Sequence, residues 1–579
     1  MIHYNGLPVS EGLAVGQVFC YKPVLPEDCL KRIEQQGTAQ ADSALAFGNA
    51  LQQAKAELRE LCSRLQAAAP EQVKILQAHI EIAEDEAMAE DMALALEDGL
   101  SAAQAVMTVF GQYIAMFAKA REERIRERAA DLTDVRNRLL RILAGLPQQD
   151  LSSLPAPCIV VAEDLLPADT AGIDRANVLA IVTQLGGETS HTAIIARSYG
   201  IPCIVGVKDC CTAVKTGDTA VADAVNGFLG LCPTAQEQQE YLQKARQLQI
   251  KKQKTEAFRL KPCLLADGTP VDICVNLAQI TAEALKPAAY AEGVGLFRTE
   301  FLYMGRQTLP DEEEQLAVYR RVLEAFAGKP VVLRTLDIGG DKKVDCMQLP
   351  QEQNPFLGER ALRLCFAQPH IFRTQLRAAL RASVYGNLWL MFPMVGSVED
   401  FLRARAMLWQ ERDDLQKQGI AVSQSLRVGA MIEIPSMALC ADALAAHADF
   451  ASIGSNDLTQ YLLAVDRTEP AVAGYCQKYH PAVWRTVRMA AQAFVQAGKP
   501  IGICGELGGD PLAAPALVGA GMRKLSMSDG LTAAVKQALC GCTLPQCRAL
   551  LDSLCAAPDA AAAKELLAGF YNRKGGVTA

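Results

Sequence analysis

Gly186-Gly187-Glu188-Thr189-Ser190-His191, running into Thr192-Ala193-Ile194-Ile195-Ala196-Arg197, is the stretch around which this 579-residue chain is organised. The apolar run Asn177–Thr183 stops at the double glycine, and three residues separate that pair from a lone histidine. Two glycines let the backbone turn tightly and lie close to a bound group. Thr189 and Ser190 are N-cap types, while Gly200 followed by Pro202 ends a helix. The spacing therefore puts His191 on the first turn of a helix, beside unpaired amides at its positive end, where a phosphate is stabilised. The rest of the chain reads as machinery for putting a phosphoryl group on that side chain and taking it off.

The length exceeds one core and predicts about three or four domains. Half of the residues are apolar and 21% are charged, with a net charge of −8 of mixed sign. That balance argues against a nucleic-acid surface but allows a basic protein partner. No run reaches the ~18 apolar residues of a membrane span, and the first residues lack a signal pattern. A cytoplasmic protein that is not membrane-inserted is expected. The 19 cysteines are scattered through apolar segments, as small hydrophobes are. Cys540, Cys542, Cys547 and Cys555 cluster, but without paired CxxC spacing, so packing is expected there over zinc.

Residues 2–20 read as a strand pair too small to fold alone. Between Thr38 and Leu143 proline nearly disappears and apolar residues recur at helical spacing. Four faces stand out: Leu51 to Leu65, Val73 to Ala83, Val106 to Phe117, and Ile125 to Ile142. This predicts a helical bundle over 21–149, inserted into an α/β domain made of 1–20 and 150–230. Residues 231–260, rich in Gln, Lys and Glu, read as a helical linker. From 261 to 579 eight strand-like runs alternate with room for helices: Val271–Val275, Val294–Phe297, Val331–Leu333, Leu388–Phe392, Val428–Ile432, Phe450–Ile453, Ile501–Cys504 and Lys524–Met527. Eight such repeats predict a (β/α)8 TIM barrel, whose catalytic face lies at the C-terminal strand ends.

Arg298, Arg334, Glu433, Asn456, Asp457 and Cys504 all fall at those ends. Two guanidiniums on adjacent strands suit a phosphate, although spacing alone leaves open a pairing with Glu300 or Asp337. Glu433 and Asp457, on neighbouring strand ends, suit one Mg2+ beside a phosphate-bearing substrate. A thiol at the end of a strand, as at Cys504, can serve as general acid or base; packing is the competing reading. In the bundle, Glu81, Glu84, Asp85 and Glu86 form an acidic run, a solvated face or one side of a docking surface.

Taken together the motifs resemble the phosphoenolpyruvate-utilising enzymes. Gly186 to Arg197 resembles their phosphohistidine signature, and Asp449 to Tyr461 their barrel signature. Glu127 to Asp131, Arg334 to Lys342, Asn354 to Gly358 and Gly502 to Gly509 support the likeness. Within the family the closest likeness is to the enzyme I branch of the phosphotransferase system. That resemblance implies a swivelling histidine domain in which His191 accepts the phosphoryl group. Arg298, Arg334, Lys342, Asn456, Asp457 and Arg467 would bind phosphoenolpyruvate, Glu433 and Asp457 would ligate Mg2+, and Cys504 would protonate the enolate to give pyruvate. It also implies HPr as the second acceptor, docked on the bundle near Glu81 to Glu86, and a homodimer through the C-terminal domain. Glu188 and Glu359 depart from the family pattern by adding carboxylates near phosphate chemistry.

The nearest rival is a pyruvate phosphate dikinase or phosphoenolpyruvate synthase. Those need an ATP-grasp domain, for which this sequence has no candidate. A non-catalytic docking protein is the rival from another class, and the intact set of His191, arginines and carboxylates disfavours it.

Overall fold

The computed structural model describes the chain apart from residues 22–25, 37–42, 66–69, 119–122, 147–150, 152–153, 155, 166–168, 170–172, 188–189, 341–343, 345, 348, 350–351, 470 and 574–579. It divides into two compact units, Met1–Lys251 and Lys252–Ala579.

The first unit is built on an eight-stranded sheet: β1 (Ile2–Asn5), β2 (Leu7–Ser10), β3 (Leu13–Tyr21), β4 (Cys158–Ala162), β5 (Val178–Thr183), β6 (Cys203–Val205), β7 (Thr219–Asp223) and β8 (Phe228–Leu231). Their order is β1-β8-β7-β3-β4-β5-β6-β2. The N-terminal segment is thus three strands and not the expected pair. β1 and β2 take opposite edges, and β3 lies in the middle, antiparallel to β7 and parallel to β4. Central strands β4 and β5 are buried nearly throughout, because helices or loops cover both faces of a parallel sheet. β8 went unread in the sequence, since Phe228-Leu229-Gly230-Leu231 is short and carries a glycine that weakens the strand signal. It returns antiparallel to β7 through a turn in which Asp223 Oδ1 accepts from the Val225 and Asn226 amides.

Between β3 and β4 the described residues form six helices, Pro26–Gln36, Ser43–Leu65, Pro70–Ala83, Glu86–Glu97, Ala102–Ala118 and Glu123–Leu143, where the sequence showed four faces; Pro26–Gln36 and Glu86–Glu97 are the additions. The added break lies inside the acidic run. Asp85 is an N-cap whose side chain accepts from the Met88 amide at 2.9 Å, so a new helix starts one residue later. Ala105, Val106, Val109, Phe110, Val135 and Leu139 form the bundle core.

Helix Ala235–Glu256 follows β8 and carries no buried residue; the unit boundary falls within it. The second unit is a closed barrel of parallel strands: β9 (Asp272–Leu277), β10 (Val294–Phe297), β11 (Pro330–Arg334), β12 (Asn387–Phe392), β13 (Arg427–Ile432), β14 (Phe450–Gly454), β15 (Ile501–Cys504) and β16 (Lys524–Met527). All eight expected strands are present, with ends shifted by two residues at most. Outward side chains join the large core beneath the helices. Inward ones, among them Leu296, Val332, Trp389, Met391, Met431 and Phe450, fill the barrel, and Cys504 belongs to that cluster.

Cys542, Cys547 and Cys555 are buried and Cys540 is half-buried. Among the described residues no three His, Cys, Asp or Glu side chains are grouped to hold a metal, and no helix is long and apolar enough to cross a membrane.

Candidate active site

Two places carry the chemistry-bearing residues, one in each unit. In the first, β5 ends at Thr183 and Gly186 turns the chain at φ = +101°, a conformation that β-carbon-bearing residues rarely adopt. His191 is the first residue of helix His191–Tyr199. Ser190 caps it, its hydroxyl accepting from the Ala193 amide at 3.3 Å, and Gly200 closes it in the left-handed conformation at φ = +66°. Two tethers fix this helix. Thr192 Oγ1 donates to Leu165 O at 3.3 Å, and Arg197 Nε donates to Val9 O on β2 at 2.9 Å. Glu188, one of the two departures from the family pattern, lies outside the described residues.

In the second unit, an open cavity of ≈ 720 Å³, solvent-filled mouth included, sits at the C-terminal end of the barrel. Arg298 follows β10 directly, Arg334 ends β11, Glu433 follows β13, and Cys504 ends β15. Asn456 and Asp457 lie on helix Ser455–Leu462, which starts as β14 stops, and Arg467 follows that helix. All seven line the cavity. Lys342 lies outside the described residues.

The question left open for the arginines has two answers. Arg334 is buried and bonded to Glu300, and it pairs with Asp337 at 2.9 Å. Burial opposes its charge, but Glu300 and Asp337 more than compensate and hold it protonated. Arg298 is exposed and has no acidic partner among the described residues, so its guanidinium is available to an anion.

Sequence reasoning missed Arg360. This buried side chain bonds to Asp337 Oδ1 at 2.9 Å and to Tyr461 OH at 3.1 Å, and it lies 3.5 Å from Asp457 Oδ1. It stands at no strand end, so the barrel rule gave no signal for it. The pointer is the backbone that follows, where Ala361 has φ = +50°. Met394, at φ = +51°, donates its amide to Glu433 Oε1 at 2.6 Å. Non-glycine residues in that region are costly and collect at functional sites.

Glu433 and Asp457 form the carboxylate pair. Burial first, then the charges of Asp457 and Asp337, push Glu433 up to about 8, against the pull of Arg334 and Arg360. Gly454 leaves room for the Glu433 side chain, since a Cβ there would stand 2.5 Å from Glu433 Oε2. Two hard oxygen donors, one of them raised by burial and by its neighbouring carboxylates, would fit a divalent cation. Asn456 Oδ1 accepts from the Glu506 amide at 2.9 Å, which leaves the Asn456 amide nitrogen for the cavity. Arg467 donates to Asp457 Oδ1 at 3.1 Å.

Cys504 is buried at the cavity floor, and its thiol donates to Ile453 O at 3.5 Å. Burial, then the charge of Glu433, raise it to about 11, so at neutral pH it carries its proton. Glu359 is half-buried, with its amide donating to Glu352 at 2.9 Å, and does not line the cavity.

Comparison with known proteins agrees with this division. The description "PEP-utilising enzyme, N-terminal" matches residues 5–128, "PEP-utilising enzyme, mobile domain" matches 154–227, and "PEP-utilising enzyme, PEP-binding domain" matches 252–543. The phosphoenolpyruvate-protein phosphotransferase of Bacillus sp. (strain S) is 40% identical over 529 residues, 90% of each chain. That of Staphylococcus carnosus (strain TM300) is 40% identical over 90% of this chain and 91% of its own. That of Bacillus subtilis (strain 168) is 39% identical over 91% and 92%. With nine-tenths of its length shared at this identity, the chain belongs to the PEP-utilising enzymes, among their phosphoenolpyruvate-protein phosphotransferases.

Proposed function

We propose that the chain moves the phosphoryl group of phosphoenolpyruvate onto His191 and from there onto a histidine of a small carrier of the HPr type, releasing pyruvate. The observation that carries this reading is the cavity itself. Four guanidiniums, of Arg298, Arg334, Arg360 and Arg467, face the Glu433–Asp457 pair above a protonated thiol. Arg298 and Arg334 hold the phosphate, Asn456 donates to it, and Arg467 and Arg360 orient Asp457. We propose Lys342 as a further phosphate-binding residue on family likeness alone. Glu433 and Asp457 are the residues that would hold Mg2+, which, when bound, neutralises charge on the transferring group.

The phosphoryl group leaves its enol oxygen as the P–O bond breaks and a P–N bond forms to the imidazole. His191 attacks as the neutral ring, the form a helix N-terminus favours. The electron pair left on the enolate takes a proton at carbon from the Cys504 thiol, giving pyruvate; the thiolate regains its proton from solvent. Transfer requires the histidine to enter the cavity during turnover and to leave it for the carrier, so conformational gating is part of the cycle. For the carrier we propose the bundle surface at Glu81, Glu84, Asp85 and Glu86, all exposed. Glu84 is paired with Arg59 at 2.8 Å and Asp85 serves as a cap, so Glu81 and Glu86, with no ion-pair partner among the described residues, are the charges proposed for docking. Action in the cytoplasm and pairing of two chains through the barrel unit complete the proposal; both rest on family membership.

The test is donor choice. Radiolabelled phosphoenolpyruvate with Mg2+ is expected to place one acid-labile, base-stable phosphate on the chain. Labelling from ATP but not from phosphoenolpyruvate would sink the reading.

Cys504→Ala is expected to lower pyruvate formation by about 10²-fold, the low end for loss of a general acid. Label exchange with phosphorylated carrier, which needs no enolate, should hold its wild-type rate.

The raised Glu433 predicts a pH dependence. Metal binding must expel its proton, so Mg2+ affinity is expected to rise between about pH 6 and 8, with proton release seen by calorimetry in buffers of different ionisation enthalpy. Without metal the folded chain keeps a proton that the unfolded chain sheds above 4.5. Stability contributed by the protonated form is therefore full below that value and falls as pH rises toward 8. Mg2+ should offset the fall in the wild type, and Glu433→Gln, which has no titrating group there, should show neither the fall nor the offset.

A further inference from the structure

Behind the cavity lies a buried polar chain that none of the steps above uses. Gln375, on helix Pro369–Ala382, accepts the Leu336 amide at 2.8 Å through its side-chain oxygen. Its nitrogen donates to Thr299 Oγ1 at 3.0 Å and to Tyr319 OH at 3.2 Å. Thr299 Oγ1 in turn donates to Arg334 O at 3.0 Å, and Tyr319 OH donates to Gln315 Oε1 at 2.9 Å. Gln375 and Thr299 are 0% exposed, Tyr319 and Gln315 1%.

Each member of this chain is satisfied, and three of its bonds, those of Thr299 to Arg334 O, of Gln375 to Thr299 and of the Leu336 amide to Gln375, tie down backbone or side chain next to a cavity charge. Thr299 stands between Arg298 and Glu300; Leu336 stands two residues from Arg334 and one before Asp337. One amide group thereby spans segments 298–300 and 334–337. Those segments carry both phosphate-facing arginines and both acids that neutralise Arg334. An apolar side chain of the same size would pack in that space without desolvating an amide. What the amide adds is direction, because its donors and acceptor fix where two strand ends stop. Buried networks of this kind rigidify when complete and are costly when one member is lost.

We propose that Gln375, acting through Thr299 and the Leu336 peptide, is a positioning residue that sets the spacing of Arg298 and Arg334 for the phosphate of the substrate. This inference rests on the function proposed above. The experiment measures phosphoenolpyruvate binding with Mg2+ by titration calorimetry in a His191→Ala background, which holds substrate without turning it over. Gln375→Met and Thr299→Val are each expected to weaken binding about tenfold, while Thr299→Ser, which keeps the hydroxyl, stays near the parent. In the chain with His191 intact, KM for phosphoenolpyruvate rises more than kcat falls, and exchange with phosphorylated carrier is unchanged. Because both variants remove links of one chain, their combined effect is less than the sum.

A merely structural role would lower the melting temperature of both variants and leave the affinity of the folded protein as in the parent. That result overturns the proposal. Should Gln375→Met fail to fold, Thr299→Val against Thr299→Ser decides alone. A parent that binds no phosphoenolpyruvate overturns the function itself, a result separable from normal parent binding that the variants fail to change.

Discussion

His191→Ala is expected to abolish labelling from phosphoenolpyruvate and from phosphorylated carrier alike, while phosphoenolpyruvate still binds with affinity within about twofold of the wild type. The asymmetry follows from where the groups lie. The cavity arginines, Glu433, Asp457 and Cys504 all belong to Lys252–Ala579, and His191 belongs to Met1–Lys251. Its helix is held by Ser190, Thr192 and Arg197, all of which the substitution keeps, so the fold stays in place. Residual label in His191→Ala would mean that another side chain is the acceptor. Calorimetry for binding and an acid-stability assay for label give the two readouts.

Arg334→Met is expected to lower the phosphoryl-transfer rate by about 10³-fold or more, the scale of a charge-stabilising arginine in such reactions, and also to destabilise the barrel unit. The second effect comes from the partners. Glu300 and Asp337 are buried against Arg334, and stripping one partner from a buried ion pair costs about 3–5 kcal/mol. Arg360 still neutralises Asp337, so the larger loss falls on Glu300, whose buried carboxylate gives up the guanidinium bonded to it. Arg334→Met combined with Glu300→Gln should recover none of the lost rate. Arg298→Met supplies the contrast: exposed and free of acidic partners among the described residues, it should lose rate with little change in melting temperature. Thermal denaturation and single-turnover labelling separate the four chains. Equal stability of the two arginine variants would contradict the ion-pair geometry.

The barrel was legible because its strands are covered on both faces and leave continuous apolar runs such as Leu388–Phe392. Its polar exceptions then fell at strand ends, where side chains reach the cavity. The edges of the other sheet were not legible. β1 keeps three of its four residues exposed, so no burial pattern marks it, and its partner β8 is nearly 230 residues away in sequence. Within the bundle, Asp85 belongs to an acidic run that looks helical throughout, and only its cap bond to Met88 shows the break. In the cavity, the arginines could be placed by spacing but not paired by it. Arg360 and Gln375 escaped altogether, since each enters from outside a strand end and its role comes from what it touches. Residue type and order locate a strand end; they do not say which neighbour a buried charge will choose.

Helix Ala235–Glu256 buries none of its residues, and the boundary between the two units falls within it. Its contribution to catalysis is therefore one of concentration. Two bodies on one tether meet at an effective molarity that its length and stiffness set, on the order of millimolar for short linkers. Cleaving the helix at Lys244, Lys251 or Lys252 would turn a first-order step into a second-order one, whose rate then depends on how much protein is present. Lengthening it would dilute the histidine against its own substrate site without altering a single contact in either.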